Sequence, residues 1–131
     1  MVTANLLSRL QGLSVPSREV DALIWLEFTP GATRKQWSYI HTATGRECHV
    51  DETRDATDRL IIVPEYTASL DAAIALAERM LPDALWDVGK GGVAKLLPNI
   101  FSSRIEVVAA ATPAIALCIA LLRALEARDA G

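Results

Sequence analysis

Cysteine is scarce in this sequence, and its scarcity excludes a fold held together by disulfide bonds. Two of the 131 residues are cysteines, Cys48 and Cys118, too few for a disulfide framework. Cys118 lies in the apolar run PAIALCIALL, where we expect it to behave as a small core residue. The first residues, MVTANLLSRLQGLS, also lack the apolar core and cleavage site of a secretory signal. We therefore expect a reduced, cytoplasmic protein.

Long apolar runs and a strong net charge are missing as well. The longest uncharged run, residues 107–122, is shorter than the roughly 20 residues that span a bilayer, and Thr112-Pro113 interrupts it. The net charge of −3 provides no general field to attract nucleic acid or anionic lipid. Neither a membrane nor nucleic acid is therefore an expected partner. With 51% hydrophobic and 22% charged residues, the chain has the composition of one folded domain spanning residues 1–131.

Four segments have the apolar spacing and the end signals of helices. The first follows leucines three and four residues apart near the N-terminus. The second begins after the cap residue Ser17 and ends at residues 29–31, Thr-Pro-Gly. The third begins after Ser69, and the fourth begins after Thr112 and runs to about Arg128. The fourth is apolar on most sides, so we expect it to be buried against more than one layer.

Strands are predicted where aromatic and branched residues replace the helical period. WSYIH and RLIIV fit strands, and the polar segment TATGRECHVDETRDATD between them reads as turn-forming. ALWDVGK and GVAKLLP fit a pair joined through Gly-Lys-Gly-Gly, and SRIEVVA alternates between two faces. The sequence thus predicts an α+β domain: an α–β–α layered sandwich with a mainly antiparallel sheet and about four helices. Its N-terminal helical segment covers about residues 3–28, and its sheet and helix core covers about residues 34–128.

The polar half of EYTASLDAAIALAER, residues 65–79, resembles an active site at first sight. Each side chain nevertheless has a structural role available, because Ser69 can cap the helix and Asp71 complements its dipole. No histidine is adjacent to complete a reacting set. We interpret the stretch as a helix start in which only Tyr66 is a candidate for binding.

Metal-ligand residue types cluster between the first two predicted strands. If Thr44-Gly45 is a hairpin tip, His41 falls roughly opposite Cys48, a possible nucleophile pair that lacks an oxyanion donor or orienting residue. A solvated hairpin end explains the cluster better than a zinc site does. VGKGGVAK lacks the spacing of a phosphate loop, so no cofactor, metal or catalytic residue is assigned. The cluster consists of His41, Cys48, His49, Asp51 and Glu52.

Two groups of residues are candidates for a ligand or partner surface. Positive charge and rings at residues 34–39 could stack on bases, although edge-strand decoration and core packing of Trp37 explain them too. A small-molecule pocket could combine Tyr66, Trp86, Lys90 and Arg104, although Trp86 is favoured as a core residue. The candidate residues are therefore Tyr66, Trp86, Lys90, Arg104, Trp37 and His41.

Three segments together resemble a known family. SREVDA at residues 17–22, YTASLDAA at residues 66–73 and ATPAIALCIALL at residues 111–122 are similar to segments of the phage ABA-sandwich domain family. The resemblance implies an α–β–α sandwich and a phage or prophage origin. It carries no catalytic residues, and the charged segment GRECHVDETRDATD departs from it.

The leading functional hypothesis is a non-enzymatic phage or prophage accessory protein that binds a macromolecule, such as a host or phage protein. A protein that sequesters a nucleotide signal in phage–host conflict is the first alternative, and a cryptic enzyme using His41 and Cys48 is the second. The apolar last helix also raises the possibility of a homodimer, in which the N-terminal helices or a second copy would cover its surplus surface.

Overall fold

A computed structural model describes residues 4–130, and this part of the chain folds into four helices and two small antiparallel sheets. The α+β class, the four helices and the antiparallel pairing predicted from the sequence are confirmed. The helices are α1 (Ala4–Gln11), α2 (Arg18–Phe28), α3 (Leu70–Met80) and α4 (Pro113–Ala130).

The strands divide into two sheets of three, each connected in chain order. The first sheet has the order β1-β2-β3 and precedes α3, whereas the second has the order β4-β5-β6 and precedes α4. Every pairing is antiparallel. The strands are β1 (Thr33–Ile40), β2 (Glu47–Arg54), β3 (Leu60–Ile61), β4 (Leu85–Gly89), β5 (Val93–Leu97) and β6 (Glu106–Ala109).

Helix α4 is the centre of the core. Every residue from 114 to 122 is buried, because the second sheet packs on one side of the helix and α1 and α3 pack on others. The expected burial against more than one layer is confirmed. The N-terminal helix α1 supplies part of the cover, so this apolar surface lies inside a single chain rather than open to a second copy. Among the described helices, none combines the length and hydropathy needed to cross a membrane.

Three predicted caps fix where the helices begin. Ser17 Oγ accepts from the Val20 amide at 3.2 Å, and Ser69 Oγ accepts from the Ala72 amide at the same distance. Thr112 Oγ1 accepts from the Ile115 amide, also at 3.2 Å. Each hydroxyl satisfies an amide that has no partner inside its helix. These bonds confirm that Ser69 has a structural role.

A buried polar cluster joins the start of α2 to the segment before α3. Asp21 and Thr67 are fully buried, and Asp21 Oδ1 accepts from both the Thr67 amide and the Thr67 hydroxyl at 2.8 Å. The Thr67 hydroxyl accepts from the Ser17 amide at 2.9 Å, and Arg18 pairs with Asp21 Oδ2 at 3.0 Å. Buried polar groups are tolerated when they are bonded in this way. This cluster was not predicted from the sequence.

Candidate functional site

The hairpin arm, which we define as β1, β2 and the turn between them, carries two exposed aromatic rings, Trp37 and Tyr39. All residues of β1 are exposed except Arg34, which is partly buried. The register places Trp37 opposite Val50 and Tyr39 opposite Cys48. Because side chains alternate between the faces of a strand, these four lie on one face, which we call the aromatic face.

The side chains of Trp37 and Tyr39 lie close together and are exposed to solvent. Their ring centroids are 5.7 Å apart with the planes tilted by 39°, and the residues are 42% and 45% exposed. The interpretation of Trp37 as a core residue is therefore wrong. Such tilted ring pairs attract each other and lose little freedom when a partner covers them. Leu60 and Ile62, which are also exposed, extend the apolar surface beside β2.

The opposite face of the arm is mainly polar, with Ile40 exposed at the end of β1. Arg34 donates from Nε to Asp51 Oδ1 at 2.9 Å and from a terminal nitrogen to Asp51 Oδ2 at 2.7 Å. These hydrogen bonds lower the pKa of Asp51 below its ordinary value and raise the pKa of Arg34 above its own. Gln36, Ser38 and His49 share this face. The arm therefore has one face that carries its aromatic rings and one that is mainly polar, and their side chains alternate along each strand.

Positive charge flanks the aromatic face. Lys35 lies in β1 two residues before Trp37, and Arg46 lies two residues before Cys48, so alternation places both on this face. Neither cation has an ion-pair partner among the described residues. The carboxylate on the same face, Glu52, is 3.4 Å from Arg54. The face thus offers rings and unpaired cations, which suit an apolar and acidic partner.

The strand period divides the cluster of possible metal ligands between the two faces of the arm. Tyr39 rather than His41 lies opposite Cys48, and the His41 amide instead donates to the Arg46 carbonyl at 2.9 Å. His41 is therefore diagonal to Cys48, while His49 and Asp51 lie on the polar face. Among residues 4–130, no three His, Cys, Asp or Glu side chains are grouped to hold a metal ion.

The four residues proposed for a small-molecule pocket occupy different settings. Tyr66 is buried in the core, its carbonyl accepts from Cys118 Sγ at 3.5 Å, and burial raises the pKa of its hydroxyl. Trp86 lies in the edge strand β4 and is 37% exposed, so its expected place in the core is wrong. Lys90 is exposed in the turn between β4 and β5, and Arg104 lies in the segment before β6.

Arg104 does border a cleft, which has a volume of about 470 Å³. Its Nε donates to Glu106 Oε1 at 2.8 Å, and this carboxylate is buried, so the arginine charge is already compensated. The lining also includes Asp83 and Arg128, which makes two acids and two bases. A nucleotide phosphate needs an excess of donors and positive charge. The balanced lining does not favour the nucleotide hypothesis.

Comparison with known proteins returns no relative. No protein-family model matches the sequence, and neither the curated proteins nor the solved structures give a significant match. The three segments behind the phage-family resemblance do meet in space, since Asp21 bonds Thr67 and Cys118 bonds the Tyr66 carbonyl. Such contacts are a property of this fold, and the resemblance stays a prediction.

The rings of the arm were identified from the sequence, but the residues that share a face with them were not. Val50, Cys48, Arg46, Leu60 and Ile62 were not recognised as lying on the same face as Trp37, because β2 was interpreted as a polar turn. A signal was present in the strict alternation of Lys35, Trp37 and Tyr39, which places one cation and two rings on one face.

Proposed function

We propose that this protein is a non-enzymatic phage or prophage accessory protein that binds another protein through the aromatic face of its hairpin arm. The partner is a host or phage protein that contributes an extended, acidic segment with apolar side chains. The observation that carries the proposal is the exposed pair of Trp37 and Tyr39, flanked by unpaired Lys35 and Arg46.

The rings support binding because they contribute little to the core of this chain. Trp37 and Tyr39 lie in an edge strand whose side chains are almost all exposed. Tryptophan and tyrosine dominate the binding energy of protein interfaces, where they bury large areas at a low cost in conformational entropy. Their exposure here, in a fixed mutual geometry, is therefore the arrangement expected of an anchor for a partner.

The edge position of β1 supports an extended partner segment. An edge strand presents backbone groups that can pair with an added strand, and alternate side chains of that strand then lie beside the aromatic face. Apolar residues of the segment would cover Trp37 and Tyr39. Its carboxylates would meet Lys35 and Arg46, where opposite charges favour encounter and register.

The charges favour a protein segment over nucleic acid. Base stacking on Trp37 and Tyr39 is chemically feasible. Binding of a polyphosphate backbone, however, depends on several cations neutralising phosphates at once. The arm leaves only Lys35 and Arg46 unpaired on this face, and the whole chain has a net charge of −3.

Selection from a random peptide display library tests the proposal. We expect selected peptides to be rich in Asp, Glu and large apolar residues, and to bind less tightly as salt is raised. The double variant Trp37→Ala/Tyr39→Ala should weaken their binding by about thirtyfold or more, since each ring is expected to be a hot spot. Gln36→Ala/Ser38→Ala alters the polar face of the same strand and should leave binding unchanged.

Three outcomes would contradict the proposal. The first is that no peptide is enriched, and the second is that selected peptides bind equally well to the Trp37→Ala/Tyr39→Ala variant. The third is that a single-stranded oligonucleotide binds through the aromatic face while no peptide does, which would assign the surface to nucleic acid.

A further inference from the structure

The inner face of the second sheet, which is the face that packs against α4, carries one charged residue within its strands. This residue is Glu106 at the start of β6, and it is only 8% exposed. Burial of a carboxylate is costly unless its oxygens find partners. In natural proteins, a residue that breaks the local pattern in this way is expected at a functional site. The other positions of the inner face are Trp86, Val88, Ala94, Leu96 and Val108.

The neighbours of Glu106 satisfy only part of its carboxylate. Its Oε1 accepts from Arg104 Nε at 2.8 Å. Among the described residues, no donor is hydrogen-bonded to Glu106 Oε2, and no acceptor is hydrogen-bonded to the terminal nitrogens of Arg104. A carboxylate can accept through both of its oxygens, and a guanidinium can donate through all of its nitrogens. The pair therefore keeps an acceptor and donors side by side, and both residues line the cleft of about 470 Å³.

This cleft lies at one end of the second sheet, beside the C-terminal half of α4. Ala124 and Ala127 of α4 line it, and their short side chains leave its space open. Its volume falls within the range of about 300–1,000 Å³ that is typical of small-molecule pockets, which combine apolar walls with a few polar groups. The apolar walls come from the end of α3 and from the segments beside β4 and β5, and they consist of Met80, Leu81, Pro82 and Pro98.

The charges that line the cleft indicate the class of its ligand. The lining carries two acids, Asp83 and Glu106, and they are balanced by the two bases Arg104 and Arg128. A net anion or a net cation would meet groups of its own sign, whereas a zwitterion can place each of its charges beside an opposite one. We propose that the cleft binds a free α-amino acid with an apolar side chain.

The two charges of an α-amino acid are as close together as those of the Arg104–Glu106 pair. Its ammonium nitrogen and its carboxylate carbon are bonded to the same carbon and lie about 2.5 Å apart. The ammonium group donates to Glu106 Oε2, and the carboxylate accepts from the terminal nitrogens of Arg104. The apolar side chain lies against the walls that include Met80, Leu81 and Pro98. A peptide lacks this arrangement, because its terminal charges belong to different residues.

Isothermal titration calorimetry of the full chain with L-leucine, L-methionine and L-phenylalanine tests the proposal. We expect at least one of them to bind with a Kd of about 1 mM or lower. The amide of that amino acid keeps the ammonium group but lacks the carboxylate, and its N-acetyl derivative keeps the carboxylate but lacks the ammonium group. Each derivative should bind about tenfold more weakly or worse, because it loses one charged contact.

Three variants test whether the amino acid occupies the cleft. Glu106→Gln keeps the size of the side chain but removes the charge that holds the ammonium group, so it should weaken binding by about tenfold or more. Ala127→Trp fills the cleft and should abolish binding. Asp87→Asn removes a charge from the opposite face of the same sheet and should leave binding unchanged. Circular dichroism checks that each variant is folded.

Nuclear magnetic resonance locates the ligand without any substitution. The amino acid should shift the amide signals of Asn99, Ser102 and Arg128, which line the cleft, and leave those of the hairpin arm unchanged. The proposal would be overturned if none of the three amino acids bound at millimolar concentration, if the amide bound as tightly as the amino acid, or if the shifts were confined to the hairpin arm. Trp37→Ala/Tyr39→Ala should lose peptide binding but keep amino-acid binding, so this proposal and the proposed function can fail separately.

Discussion

Helix α4 and strand β1 use their side chains in opposite ways. Residues 114–122 of α4 are all buried, whereas β1 has no buried residue along its length. Burial of apolar area is the main favourable contribution to folding, so α4 supplies much of the stability of this chain. The exposed rings of β1 bury little apolar area within this chain, so they remain available for contacts with another molecule.

The hairpin arm keeps its shape through polar bonds instead. The arm is held by the Arg34–Asp51 pair, and the turn that follows it, between β2 and β3, is organised by Asp55, whose Oδ1 accepts from the Thr57 amide at 2.9 Å and the Arg59 amide at 3.0 Å. The bond from the Thr57 hydroxyl is the main reason that the pKa of Asp55 falls to about 2. A binding surface ordered before the partner arrives loses less entropy on association.

The two cysteines give the largest expected contrast between these regions. Burial raises the pKa of Cys118 from 9.0 to about 12, which lowers its thiolate fraction about a thousandfold at pH 8. Cys48 is partly exposed on the arm. We expect a thiol reagent to modify Cys48 alone in the native protein and both cysteines in guanidinium. Rapid native modification of Cys118 would show that the core around α4 opens easily.

Truncation in α4 should have a large effect on stability. Leu121 is fully buried, so Leu121→Ala removes apolar contacts and leaves a cavity, at a cost of about 2–5 kcal/mol. Urea unfolding measures the change, and Glu126→Ala on the exposed side of the same helix is the control. A cost below about 1 kcal/mol would mean that α4 is not the centre of the core.

The buried polar cluster should have an intermediate effect. Thr67→Val keeps the shape of the side chain but removes the hydroxyl that donates to Asp21 and accepts from the Ser17 amide. We expect a loss of about 1–3 kcal/mol in the free energy of unfolding, because buried groups lose a partner. Thr42→Val at the exposed turn of the arm is the comparison. Equal effects at both positions would contradict a stabilising role for the cluster.

The helices could be predicted from the sequence because their signals are local. Apolar spacing and the caps Ser17, Ser69 and Thr112 each lie within a few residues of what they determine. The long-range partners could not be predicted in this way. Asp21 and Thr67 are 46 residues apart, and no local pattern indicates that they bond.

Strand β2 was missed because neither of its faces forms part of the core. Strand prediction relies on alternation between apolar and polar residues, and that alternation arises when one face is buried. ECHVDETR has only Thr53 buried, so its composition resembles that of a turn. Because β2 was not predicted to be a strand, the residues that lie opposite Trp37 could not be predicted either. In β6 the alternation was confirmed, but the inner face carries Glu106, whose charge Arg104 compensates.

The most direct test of the account is the unfolding free energy of Trp37→Ala/Tyr39→Ala, measured together with peptide binding on the same sample. If the rings serve a partner rather than the fold, stability should change by no more than about 0.5 kcal/mol, while binding of the selected peptides is lost. A destabilisation of about 2 kcal/mol or more with binding retained would show that the rings maintain the structure of the arm, and would contradict the account.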